Sequence, residues 1–262
     1  MVTIESYPPG HLCWVDLTAA DLEFSRIFYA ELFGWAAVDR DAPDGPPYVQ
    51  FELGGRAVAG MGRMTAERLA AGGRPHWNVY VAVEDAGLVE QKVVAAGGAV
   101  LAPTRPVVDA GWMNVLRDPE GATFMTWQAN QHRGAALVDE PGTWGWSELA
   151  VRDPERAQAF YGGLFGWAFE ADARGSALVR VSAADGHPRA HFVRISEAQP
   201  DRPSAWTPYF VVEDCEQIAS RSESMGGRID VSPTDGPVGR FARLEDPQGG
   251  CFYVLERSRG AG

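Results

Sequence analysis

Two carboxylates stand where this chain could do chemistry. Asp16 follows Trp14 by two residues and Glu148 follows Trp146 by two, in copies of one stretch displaced by 132 residues. An extended strand sends alternate side chains to the same face. His11 to Leu17, read as a strand, therefore shows Trp14 and Asp16 on one face, with Val15 and Leu17 on the other. A carboxyl group in an apolar aromatic setting has its pKa raised and suits proton transfer, as a general base or as acceptor for a ligand hydroxyl. The plainer role is a buried hydrogen-bond acceptor for a backbone group or a tyrosine.

Other reactive types are sparse. His187 and His191 sit four apart and would share a strand face, but two imidazoles are too few ligands for a metal. They follow a turn signal, Asp185-Gly186, so the pair reads as solvated surface. His76 reads as an edge or loop histidine, and Cys13 and Cys251, in strands, as small core residues. The chain carries no G-x-S-x-G, Walker or Rossmann pattern, and Gly55-x-x-x-x-Gly60 lacks the lysine a phosphate loop needs.

The elements that must position these residues come from a repeat. Trp14 to Trp35 recurs without gaps as Trp146 to Trp167: a strand, an Asp, a helix with a Phe-Tyr pair, then Leu-Phe-Gly-Trp. Thr18 or Asp21 can cap the first helix and Gly34 ends it. Strands are expected at 36–39, 48–53 and 57–64, with a Gly54-Gly55 turn. A second β-α-β-β-β unit begins at His76, with a helix over 86–96 and a tight turn at Asp118-Pro119-Glu120-Gly121. The second half repeats the plan: TPYFVVED answers NVYVAVED, and DPQG answers DPEG. Two domains follow, 1–130 and 143–262, joined by a linker at 131–142.

At 262 residues with 45% hydrophobic content, each half can bury a core. The formal net charge of −12 argues against nucleic acid or an anionic membrane as partner. There is no run of eighteen apolar residues and no signal peptide, so a soluble, cytoplasmic protein is expected. Three cysteines without framework spacing suit a reducing compartment. Nine tryptophans are many for this length; most read as core and interface packing, and some can line an aromatic cavity.

Strand, Asp, helix with Phe-Tyr, Leu-Phe-Gly-Trp, then Val-x-Asp and Asp-Pro-x-Gly, resembles the vicinal oxygen chelate superfamily of glyoxalases, extradiol dioxygenases and bleomycin-resistance proteins. CWVDL at 13–17, WQAN at 127–130 and VGRFARLEDPQG at 238–249 resemble its two-domain actinobacterial branch, which includes a mycobacterial antigen and proteins of antibiotic gene clusters. The resemblance implies an α+β fold of two tandem domains, each of paired βαβββ modules curled into a cup. It also implies where a catalytic relative would hold a metal. Those six positions here are Trp14, Asn78 and Met125 in the first cup and Trp146, Thr207 and Tyr253 in the second. None is His, Glu, Asp or Cys, so no metal and no other cofactor is expected.

If those positions face the cups, residues two away do as well. The first cup would then add Asp16, Tyr80 and Trp127, and the second Glu148, Tyr209 and Leu255. Trp112 and Arg240 occupy matching places, and both are expected to contribute to ligand binding, Trp112 as a flat wall of the first cup. The leading expectation is metal-independent binding of a hydrophobic aromatic small molecule for sequestration, self-resistance or relief of product inhibition. The alternative is a metal-independent enzyme of natural-product biosynthesis with Asp16 or Glu148 as acid or base. A metal-dependent dioxygenase or glyoxalase is the third. A biosynthetic oxygenase is a candidate partner, and the chain would act as monomer or homodimer.

Overall fold

The computed structural model describes residues 3–40, 47–171, 177–180, 189–236 and 239–258; Asp185, Gly186 and His187 lie outside them. The first half runs β1 (Leu12–Ala19), α1 (Leu22–Phe33), β2 (Ala36–Arg40), β3 (Tyr48–Leu53), β4 (Arg56–Arg63), a short α2 (Ala66–Ala70), β5 (His76–Ala82), α3 (Ala86–Ala95), β6 (Ala99–Val107), β7 (Gly111–Arg117) and β8 (Thr123–Ala129). The second half answers with β9 (Trp144–Val151), α4 (Pro154–Phe165), β10 (Ala168–Ala171), β11 (Ala177–Arg180), β12 (Ala190–Arg194), β13 (Ala205–Val211), α5 (Cys215–Ser224), β14 (Arg228–Gly236), β15 (Gly239–Glu245) and β16 (Cys251–Arg257). Only α2 has no counterpart in the sequence reading. No described helix is long and apolar enough to cross a membrane.

Each repeated Asp starts a helix by accepting backbone N–H groups that the first turn leaves unpaired. Asp21 takes those of Glu23 and Phe24, and Asp85, Asp153 and Asp214 do the same for α3, α4 and α5. Gly34 and Gly166, at φ 74° and 70°, close α1 and α4 in the left-handed conformation that glycine adopts without strain.

The strands form two eight-stranded sheets, ordered β2-β3-β4-β1-β5-β8-β7-β6 and β10-β11-β12-β9-β13-β16-β15-β14. In each, the two modules meet at an antiparallel pair, β1 with β5 and β9 with β13. Parallel neighbours flank it: β4 and β8 in the first sheet, β12 and β16 in the second. One face of each sheet forms a cup. The opposite faces pack together into a shared aromatic core, where Phe210 of β13 meets Trp77, Phe33 and Trp35.

The halves also exchange buried hydrogen bonds in a reciprocal pattern. Tyr29 of α1 donates to the Asp246 carboxyl at 2.8 Å, and Tyr161 of α4 donates to Asp118 at 3.0 Å. The Trp77 indole donates to Tyr29, and that of Trp206 to Tyr161. Trp35 donates to the Gly142 carbonyl and Trp167 to that of Gly10. The Phe-Tyr pair and closing Trp of the repeat thus build the contact between halves.

Candidate functional site

The strand register assembles the first cup. Trp14 lies opposite Tyr80 and Asp16 opposite Asn78 across β1 and β5; Tyr80 lies beside Met125, and Ala82 beside Trp127, across β5 and β8. Asp16 is buried at the centre. Its Oδ1 accepts from Asn78 at 2.8 Å; its Oδ2 accepts from Tyr80 at 2.7 Å and from Tyr48 at 3.3 Å. Burial raises its pKa above the ordinary carboxyl value, against the lowering pull of those bonds and of the Arg105 charge. His132, from the segment after β8, stands edge-on to Trp14 at 4.5 Å, and its carbonyl takes the Trp127 N–H. Burial, helped by the Arg40 charge, lowers the His132 pKa to about 4, so its ring is neutral at physiological pH.

The second cup repeats the register with different chemistry. Glu148 lies opposite Thr207, Trp146 opposite Tyr209, and Tyr209 beside Tyr253. The two tyrosine rings stack at 4.1 Å, and both hydroxyls donate to Glu148, at 3.1 and 3.0 Å. The same carboxylate takes Arg202 at 3.0 Å and His191 Nε2 at 3.2 Å. Burial raises the Glu148 pKa, but the hydrogen bond from His191, the charge of Arg202 and the hydrogen bond from Tyr253 outweigh it and leave it below the ordinary value. The raised pKa expected of both carboxyls therefore holds for Asp16 and not for Glu148. Leu255 and Phe241 extend this cup, and Arg243, opposite Tyr253, pairs with Asp230 at 2.7 Å.

One relay is common to both cups. The Trp14 indole donates to Tyr48 at 3.0 Å, and Tyr48 donates to Asp16. The Trp146 indole donates to His191 Nδ1, and His191 Nε2 meets Glu148. An indole is only a donor, so Nδ1 is bare and Nε2 carries the proton toward Glu148. Gly60 is the strand partner of Asp16, as His191 is of Glu148. A Cβ on Gly60 would stand 1.9 Å from the Tyr48 hydroxyl, so the missing side chain is what lets Tyr48 reach the carboxyl. His191 is thus a partner of the second carboxylate and not solvated surface. His76 opens β5, and its Nδ1 contacts the Arg74 carbonyl.

Two expected ligand-binding residues lie elsewhere. Met113 is opposite Trp127 on the cup face, which sends Trp112, opposite Gln128, to the other face, where it is exposed. Arg240 occupies the matching outer position, opposite Glu256, and pairs with Glu216 of α5 and with Asp235 at 2.9 Å. The tight turn at Asp118 to Gly121 sets the register of β7 and β8, and counting strand partners from it separates Trp112 from Trp127. Tyr48, Arg105, His132, Arg202 and Arg243 are cup residues that carry no motif.

The donor set does not fit a family-type metal. The six positions carry Trp14, Asn78, Met125, Trp146, Thr207 and Tyr253, whose indole, amide, thioether, hydroxyl and phenol groups do not replace imidazole and carboxylate. Among the described residues, Asp230–Glu245–Cys251 and Asp214–Glu216–Glu256 bring three such donors together, and neither group includes Asp16 or Glu148.

Comparison with known proteins places this architecture. The model described as glyoxalase-like domain matches residues 14–126, and that of the glyoxalase/bleomycin resistance protein/dioxygenase superfamily matches residues 137–251. CFP32 of Mycobacterium tuberculosis, named as a glyoxylase, is 39% identical over 95% of this chain and 96% of its own. The anthracycline biosynthesis protein DnrV of Streptomyces peucetius is 33% identical over 97% of this chain and 96% of its own. Among solved structures, a Mn(II)-bound glyoxalase from Novosphingobium aromaticivorans aligns with TM-score 0.65 at 16% identity, covering 95% of this chain and 82% of that one. The 2,3-dioxygenase LapB from Pseudomonas sp. KL28 aligns with TM-score 0.64 at 13% identity, covering 98% and 93%. These distant structures share the fold, and the full-length similarity to CFP32 and DnrV carries the conclusion that the chain belongs to the glyoxalase/bleomycin resistance protein/dioxygenase superfamily.

Proposed function

We propose that this protein binds a hydrophobic aromatic small molecule, a secondary metabolite or antibiotic, in its cups without a metal, for sequestration, self-resistance or relief of product inhibition. The observation that carries this reading is the first cup. Trp14, Tyr80, Trp127, Met113 and Met125 make an apolar wall around a carboxyl group already engaged by three side-chain donors. Aromatic faces hold planar rings, and methionine adapts to their outline. The name and full-length similarity of DnrV support a natural-product ligand, and a biosynthetic oxygenase is the partner that this role implies. Tryptophan fluorescence and thermal unfolding against a panel of polycyclic aromatic metabolites test it, each with and without chelator. Quenching and a raised Tm, unchanged by chelator, are expected. A panel with neither effect overturns the reading, and loss of binding on chelation overturns its metal-free part.

The second cup favours another reading, a metal-independent enzyme of natural-product biosynthesis. Glu148 against the His191 imidazole, with two phenols at hand, is acid–base equipment. Turnover that survives chelator and falls in Glu148→Gln supports this; turnover indifferent to Glu148→Gln and Asp16→Asn removes both carboxyls from the chemistry.

A further inference from the structure

Arg105 stands at the edge of the first cup without a counter-ion. It lies opposite Met113, which lies opposite Trp127, so it shares their face of the sheet. Its charge is felt by both Asp16 and Tyr80. Among the described residues its one polar contact is a long one, 3.6 Å to the Met113 sulfur. The other cup arginines are matched: Arg40 pairs with Glu52, Arg202 with Glu148 and Arg243 with Asp230. Asp16 does not serve: it is buried and bonded to Asn78, Tyr80 and Tyr48, and it forms no ion pair with Arg105. The position matching Arg105 in the second sheet, opposite Phe241, is Thr234. Among the described residues, the unmatched cation therefore belongs to the first cup alone.

We propose that the ligand of the first cup is an aromatic ring system bearing an anionic oxygen, and that Arg105 receives that oxygen while Trp127 and Met113 hold the rings. The proposal rests on the reading of this cup as an aromatic site and adds the charge of its occupant. A guanidinium fork matches a carboxylate or phenolate oxygen and forms charge-assisted hydrogen bonds. A neutral ring of the same shape keeps the apolar contacts and forgoes those bonds.

The test compares binding of naphthoate and its neutral amide, naphthamide, to the full chain by tryptophan quenching at neutral pH. Wild type should hold naphthoate tighter by on the order of tenfold. Arg105→Gln should abolish that preference by weakening naphthoate far more than naphthamide, and Arg105→Lys should keep part of it. Arg105 is exposed and makes no ion pair, so both variants should unfold at the wild-type temperature. The preference should also shrink with added salt. Equal binding of the two probes, or a preference that survives Arg105→Gln, overturns the charge assignment and leaves the aromatic cup standing. Failure of wild type to bind either probe overturns both.

Discussion

Burial acts on Asp16 and Glu148 in the same direction, and their neighbours decide the difference. Asp16 meets hydroxyl and amide donors, whereas Glu148 meets a guanidinium and an imidazole. Asp16→Asn should cost about 1 kcal/mol, the scale of a neutral hydrogen bond. Glu148→Gln leaves Arg202 facing an uncharged amide in a buried site and should cost roughly 3 kcal/mol. Urea unfolding at neutral pH measures both, and the reverse ranking would refute this account. Their pH dependences have opposite signs. The depressed Glu148 contributes stability above its unfolded pKa that is lost as pH falls through its folded value; the raised Asp16 contributes stability at low pH that is lost as pH rises through its folded value. His132 adds a window of its own. Its pKa falls from 6.5 to about 4 on folding, so the unfolded chain takes the proton first and stability declines as pH drops between those values. A His132→Asn variant should show a flatter urea midpoint over that window, and an equally steep one would show that His132 is not its source.

At the scale of elements, the relay depends on a strand position without a side chain. Gly60→Ala places a methyl group on the Tyr48 hydroxyl and should break both its bond to Asp16 and the Trp14 bond to it. A loss of about 1–3 kcal/mol is expected, the range for overpacking a filled site, with a changed near-UV circular dichroism spectrum from Trp14. A variant as stable as wild type with an unchanged spectrum would show that Tyr48 is not held by that gap. Much of this architecture was legible in the sequence. The Asp caps, the closing glycines and the repeat offset locate the helices, and alternation from Trp14 and Trp146 places the carboxyls on the cup faces. What stayed hidden depends on pairing between distant strands. Tyr48 and His191 reach the carboxyls from β3 and β12, and nothing periodic in either segment announces a partner more than 30 residues away. Arg202 comes from the segment before β13, so the sign of the Glu148 shift could not be read from β9. Trp112 and Arg240 were placed by resemblance, where one residue of strand parity reverses the face.

At the scale of the molecule, the halves are held by what the repeat buries. Tyr29→Phe and Tyr161→Phe each strip a buried Asp and a buried indole of a partner, and each should cost about 1–3 kcal/mol in urea unfolding. A loss under a few tenths of a kcal/mol in both would show that the aromatic packing alone joins the halves. Residues 1–142 made alone would bare Trp77, Phe33 and Trp35, and should bind an apolar dye until residues 143–262 are added. The reciprocity of these contacts is that of an isologous pair: the same patch meets itself, helix Tyr to turn Asp, in both directions. The chain is in effect a dimer whose protomers are tethered. Tethering replaces a concentration-dependent association with a fixed effective concentration, so assembly survives dilution. It also releases the copies from identity. In a true dimer, any change to one cup appears in both; here Gly60 and Arg105 could be kept on one side, and His191 and Thr234 on the other.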